Sequence, residues 1–133
     1  MYYCTDTWFL LKLFGKDNKA KTILEGAEVG KDWVIIPIIS YAETIKKLFQ
    51  EGRSENEIDT FFSFLERANK VKFYMPDREV SKEAAKISLS FGLPLMDAFV
   101  AATAKITGCN ILLAKDSDYD LLEKRKYVKI QSW

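Results

Sequence analysis

The sequence contains no histidine, which removes the commonest general base and metal ligand of protein chemistry. Its two cysteines, Cys4 and Cys109, are too few for a disulfide framework or a four-ligand zinc site. Each lies beside an apolar run, as expected of buried, reduced thiols in a cytosolic protein. An excess of either charge is also missing: twenty Lys plus Arg against nineteen Asp plus Glu give a net charge of +1. No global field therefore steers the chain onto nucleic acid or a membrane, and any contact with a polyanion must be local. No apolar run approaches the length of a membrane span, and the start, Met-Tyr-Tyr-Cys-Thr-Asp, lacks the basic region and apolar run of a signal peptide. A cytoplasmic location without membrane contact is the expectation. Nor is there an internal repeat, a low-complexity segment or a linker. Chemistry, if there is any, must run on carboxylates, hydroxyls, lysines or thiols.

What is present is apolar bulk: 48% hydrophobic and 14% aromatic residues in a chain of 133, enough for a sizeable core in one compact domain spanning 1–133. The stretch Gly92–Asp118, GLPLMDAFVAATAKITGCNILLAKDSD, organises the rest. From Ala98 to Ile106 hardly any polar face remains, which predicts a helix buried nearly all round. Asp97 precedes that run, and Asp116 and Asp118 follow the next apolar run, Ile111–Ala114. Carboxylates pressed against a buried element are costly unless something pairs with them, and a bound cation would do so.

In chain order, Tyr2–Thr5 reads as a strand ending at Asp6, and Trp8–Phe14 as a helix closed by Gly15. Asn18–Gly30 carries apolar residues at helical spacing, and Trp33–Ile36 is an apolar strand bounded by Pro37. Ser40 opens the next helix, with Tyr41, Ile45, Leu48 and Phe49 on one face. Ser54 and Glu57 fit a capping box ahead of a stripe of Ile58, Phe61, Phe62 and Leu65. Val71–Tyr74 is the third strand, and Pro76 with Asp77 starts a helix running to about Phe91. Strand Asn110–Ala114, a short helix near Tyr119–Lys124 and a last strand Val128–Ile130 follow the central helix. Strands alternating with helices predict a doubly wound α/β domain, a mainly parallel five-stranded sheet with helices on both faces. Ligands in such domains bind beyond the carboxyl ends of the strands where the strand order reverses. Asp6, Glu43 and Asp116 follow three different strands, and if the first and fourth strands are neighbours these acids can converge.

Taken singly, each acid has an ordinary reading. Asp6, Asp97 and Asp118 stand where an N-cap or first-turn aspartate would stand. Glu43 lies opposite its helix's apolar stripe, where a solvated acid belongs. Asp32 and Asp77 read as turn or cap residues, Lys115 as a solvated lysine, and Phe61–Phe64 as core with one exposed edge. Only the set points to chemistry.

The segments YYCTDTWFLL, IPIISYAETIKKL, LPLMDAFVAATA and NILLAKDSDY follow one another in an order and spacing similar to the acidic motifs of PIN-domain ribonucleases. The chain resembles most closely the VapC-type toxins of prokaryotic toxin–antitoxin pairs, over essentially its whole length. The resemblance implies that Asp6, Glu43, Asp97 and Asp116, with Asp118 as an additional acid, gather around one or two Mg²⁺ or Mn²⁺ ions. It implies that Thr7 and Ser40 support those ligands. It also implies an RNA substrate, an antitoxin partner lying in a groove near the site, and a homodimer. Two positions depart from the family: Trp8, where many members have Asn or Ser, and Ala114, where many have Thr. Both bear on the surroundings of the ligands rather than on the ligands. Four hard oxygen donors without His or Cys suit Mg²⁺ or Mn²⁺ and disfavour zinc. The aromatic-rich helix Ile58–Leu65 suits a subunit or partner surface, or the core.

Two other classes fit parts of the pattern. A phosphoacceptor receiver module also carries acids at strand ends, but it needs paired acids near the first strand, where only Asp6 stands. A PIN-like binding or scaffold subunit without activity would have the same fold, and four intact acids argue against that decay.

Overall fold

The computed structural model describes residues 1–133. In chain order the elements are β1 (Tyr2–Thr5), α1 (Thr7–Phe14), α2 (Asn18–Glu28), β2 (Trp33–Pro37), α3 (Ile38–Gln50), α4 (Glu55–Arg67), β3 (Val71–Tyr74), α5 (Arg78–Phe91), α6 (Leu95–Ile106), β4 (Ile111–Leu113), a 3-10 turn (Ser117–Tyr119), α7 (Asp120–Lys124) and β5 (Lys129–Gln131). The five strands form one sheet in the order β3-β2-β1-β4-β5. Every neighbouring pair is parallel, so the sheet is wholly rather than mainly parallel. The expected neighbours are neighbours: β1 pairs β4 with Thr5 opposite Leu113, and β1 pairs β2 with Cys4 opposite Ile35. The order reverses at β1, which places the switch point between β1 and β4.

Side chains alternate across a strand, so a sheet covered on both faces needs apolar residues at every position. β4 shows this directly. Ile111 and Leu113 enter one buried cluster with Phe9, Leu24, Leu48 and Phe62 from the helices of that face. Leu112 and, just past the strand, Ala114 enter the other, with Ala84, Ala98, Ala101 and Leu122. α6 is the buried helix the apolar run predicts, with Ala98, Val100, Ala101, Ala102, Thr103 and Ala104 all inside. Its small side chains let it lie close to the sheet, and Thr103 spends its hydroxyl on the Phe99 carbonyl at 2.8 Å, so no buried polar group is left unsatisfied there.

Several boundaries differ from the sequence reading. Pro37 belongs to β2, and α3 begins at Ile38, two residues before Ser40. Ser40 is not a cap because its hydroxyl donates instead to the Thr5 carbonyl at 2.8 Å, tying α3 to the end of β1. The last strand lies one residue later than expected, at Lys129–Gln131. Asn110 stands outside β4, its side chain accepting from the Tyr2 amide at 2.8 Å. Asp32 is neither turn nor cap but a buried acid, paired with the Met1 amino group at 3.1 Å. Cys4 is fully buried, Cys109 only partly, and both are free. The aromatic excess of α4 goes mostly inward: Phe62 is core, Phe61 half-buried, and Phe64 exposed. The capping box of Ser54 and Glu57 and the Asp77 cap are formed. No single helix is long and apolar enough to cross a membrane.

Candidate active site

Parallel strands deliver their carboxyl ends to one edge, and that edge carries the acids. Asp6 is the first residue after β1, and its amide donates to the Leu113 carbonyl at 3.0 Å, extending the β1–β4 ladder by one rung. Glu43 sits in the second turn of α3 after β2, and Asp116 in the loop after β4. Asp97, whose edge the topology alone left open, lies in the first turn of α6. Gly92, in the left-handed conformation at φ 67°, ends α5 and lets Leu93 and Pro94 turn the chain into α6, so that α6 starts at the same edge. Asp6, Glu43, Asp97 and Asp116 line one pocket of about 430 Å³, together with Thr7, Trp8, Leu11, Lys47, Pro94, Met96 and Lys115. Asp118 does not line it, yet one carboxylate oxygen from each of Asp97, Asp116 and Asp118 lies within 4.8 Å of the others. A larger concavity of about 590 Å³ between α1 and α4 gathers Lys16, Arg53 and Glu57. It brings no acids together, so the chemistry belongs to the smaller pocket.

Among the six helices longer than the five-residue α7, the capping pattern separates this edge from the rest. α2, α4 and α5 have side-chain caps from Asp17, Ser54 and Asp77. The helices that start at the pocket, α1, α3 and α6, have none. α3 and α6 follow Pro37 and Pro94, held near φ −59° and −54° with no side chain able to cap. Asp6 occupies the N-cap position of α1, but its carboxylate makes no capping bond. Asp6 thus stands at an N-cap position and Asp97 and Asp118 in first turns, as expected, but none of the three makes a side-chain capping bond. Asp116 does that work instead, accepting the Asp118 amide at 2.9 Å. Three helix N-termini are left with their positive ends toward the acids.

Those dipoles do not balance the burial. Asp6 is pushed up from 3.8 to about 6, first by loss of water and then by the charges of Glu43 and Asp116, against the opposing pull of the Thr7 amide and Lys47. That change corresponds to about 3 kcal/mol against the charged form, more than the ~1 kcal/mol that a helix N-terminus returns. Asp97 rises to about 7, by burial and then by repulsion from Asp6, Asp116 and Asp118. None of the five acids has a cationic partner within salt-bridge distance. The two ion pairs in the protein, Met1–Asp32 and Arg53–Glu57, lie elsewhere. Crowded carboxylates lacking both nitrogen and sulfur donors around them fit a hard divalent cation. Oxygens 2.0–2.6 Å from such an ion lie up to about 5 Å apart, which the Asp97–Asp116–Asp118 spacing meets.

The supporting residues are tied to particular acids. The Thr7 hydroxyl donates to the Glu43 carboxylate at 2.5 Å, which turns an acid on the polar side of α3 toward the pocket. Tyr119, fully buried, directs its phenol at Asp97 at 3.4 Å, and burial beside the acids keeps that phenol protonated. Sequence reasoning missed Tyr119, because it is linked to Asp97 only through the fold. It also missed Lys47, which an i, i+4 spacing from Glu43 could have revealed. Lys115 is exposed as expected but stands on the pocket rim.

A parallel α/β domain with four carboxylates gathered in a pocket at its switch point defines the class. Within it, the profile of the PIN domain matches residues 3–125, and the chain belongs to that family. Among solved structures, the fold is similar to that of VapBC2 from Rickettsia felis bound to a DNA fragment from their promoter, at 11% identity and TM-score 0.77, covering 100% of this chain and 99% of that one. VapBC-1 from nontypeable Haemophilus influenzae is similar at 21% identity and TM-score 0.69, covering 100% and 98%. VapC20 from Mycobacterium tuberculosis, a sarcin–ricin loop cleaving toxin, is similar at 16% identity and TM-score 0.68, covering 90% and 93%. No curated protein matches the sequence.

Proposed function

We propose that the chain is a metal-dependent endoribonuclease and the toxin of a toxin–antitoxin pair. The observation that carries this reading is the convergence of Asp6, Glu43, Asp97 and Asp116, from four separate parts of the chain, on one pocket at the strand ends. These four, with Asp118 beside Asp97 and Asp116, would hold Mg²⁺ or Mn²⁺. When bound, the ion supplies an activated water and stabilises charge on the attacking and leaving oxygens of a phosphodiester. The chain's own residues do the rest. Thr7 fixes the direction of Glu43, Tyr119 that of Asp97, and Ser40 anchors the start of α3 on β1. Lys47 and Lys115 stand on the pocket wall and rim, where they would meet non-bridging phosphate oxygens.

An antitoxin partner is supported by the solved relatives, which are toxin–antitoxin assemblies. A groove of about 440 Å³ beside α1, lined by Leu13, Phe14, Leu24, Phe61 and Phe64, offers apolar lining for a partner segment. The deciding experiment is cleavage of a mixed RNA substrate with Mg²⁺ or Mn²⁺, with and without EDTA. EDTA-sensitive cleavage is expected. Intact RNA under all metal conditions would replace the enzyme reading with that of a binding or scaffold subunit.

A further inference from the structure

Trp8 has no part in the acid set, yet it occupies the seam between two concavities. It lines the acidic pocket and also a second, shallower one of about 340 Å³ with Leu11, Lys12, Gly15 and Asp17. It is partly exposed, and its position is fixed from behind. Trp133 packs against it edge-on at 4.8 Å between ring centroids. Trp133 is itself held by donating Nε1–H to the Asp17 carboxylate at 2.9 Å. Cations surround this pair: the Lys12 amino group lies 6.0 Å from the Trp8 ring centre and that of Lys19 lies 4.9 Å from the Trp133 ring centre. Lys47 and Lys115 border the acidic side.

A rigid indole at the lip of an acidic pocket, ringed by lysines, is the arrangement that binds single-stranded nucleic acid by stacking a base while cations follow the backbone. A base inside a duplex already has both faces occupied, so its face is not available to an indole at a pocket lip. We propose that Trp8 stacks on an unpaired base next to the phosphodiester held over the acids, which makes Trp8 a binding residue for the RNA. The proposal rests on the nuclease reading above for the placement of the phosphodiester. Lys12 on α1 and Lys19 at the start of α2 carry the flanking phosphates. Stacking does not read hydrogen-bonding edges, so Trp8 supplies affinity rather than base choice.

The test is fluorescence anisotropy of labelled RNA in EDTA, which prevents hydrolysis, for the parent, Trp8→Phe and Trp8→Leu. The oligonucleotides are a short single strand, the same strand with abasic sites throughout, and the matched duplex. Thermal unfolding of each protein checks the fold. Trp8→Leu should bind the single strand at least about fivefold more weakly, the lower end of what losing one stacked base costs. Trp8→Phe, which keeps an aromatic face, should stay close to the parent, and the abasic strand should be bound equally by all three. Equal binding of the intact strand by parent and Trp8→Leu overturns the proposal. An equal loss on the abasic strand also overturns it, because the effect is then structural or electrostatic. Parallel cleavage with Mg²⁺ separates the two readings. Cleavage without a Trp8 effect removes only the stacking, whereas Trp8-dependent binding without cleavage removes only the nuclease.

Discussion

Thr7 and Glu43 are joined by a hydrogen bond of 2.5 Å across 36 residues of sequence. Thr7 is buried in the first turn of α1 and directly follows Asp6, so one dipeptide supplies an acid and orients another. The bond gives Glu43 its direction even though its own helix would leave it in solvent.

Removing the hydroxyl while keeping the shape isolates that bond. Thr7→Val is expected to weaken Mn²⁺ binding, followed by calorimetry, by about 10- to 100-fold, the usual cost of losing a group that orients a ligand. Thr7→Ser should retain most of the affinity. Equal binding by all three would remove Thr7 from the site.

Asp97→Asn distinguishes a metal ligand from a helix residue. Asn serves nearly as well as Asp at a helix start, so a merely helical role leaves everything unchanged. A ligand role predicts loss of RNA cleavage to background. It also predicts a higher melting temperature without metal, by about 4 °C for each kcal/mol of repulsion relieved. Undiminished cleavage would defeat the metal site at its central residue.

The same acids give the metal-free protein a defined pH response. Asp6 at about 6 and Asp97 at about 7 both titrate above the ordinary aspartate value of 3.8. The folded protein therefore holds more protons than the unfolded chain between pH about 4 and 7, and stability falls as pH rises through that window. Denaturation in EDTA from pH 4.5 to 7.5 should show the fall, and Asp97→Asn should flatten it. Mn²⁺ at about a hundred times its dissociation constant should return about 2.7 kcal/mol near neutral pH. Stability rising from pH 4.5 to 7.5 in EDTA would contradict the crowding.

Assembly makes a separate prediction. Leu89 is 88% exposed near the end of α5, and Leu95 and Met96 at the start of α6 are about half-exposed. Such apolar exposure favours a subunit surface there over one on α4. Sedimentation at micromolar concentration should give a dimer, and Leu89→Glu a monomer that still binds Mn²⁺. A parent that sediments as a monomer would remove the dimer.

The strand and helix order was legible because each element carries its own period and punctuation: Ile111–Ala114 is apolar throughout, and Ser54 and Glu57 mark a helix start by themselves. The convergence of the acids was legible only as a set, through topology and resemblance. What was hidden depended on partners distant in sequence. A helical wheel compares Glu43 only with α3 and knows nothing of Thr7. Ser40 has the chemistry of a cap, and nothing local announces that the Thr5 carbonyl claims its hydroxyl. Tyr119 reads as one more core aromatic until α6 is laid against it. The bracing of Trp8 by Trp133 spans nearly the entire chain.

The rung between the Asp6 amide and the Leu113 carbonyl sets a time order on synthesis. β1 is made before β4, and the strand that completes its far side comes more than a hundred residues later, a long-range pairing of the slow-forming kind. Until Ile111–Leu113 has been translated and has docked, β1 has an open edge and the carboxylates at its end have no fourth wall. A chain that stops short of β4 therefore lacks both Asp116 and Asp118 and the strand beyond which they stand.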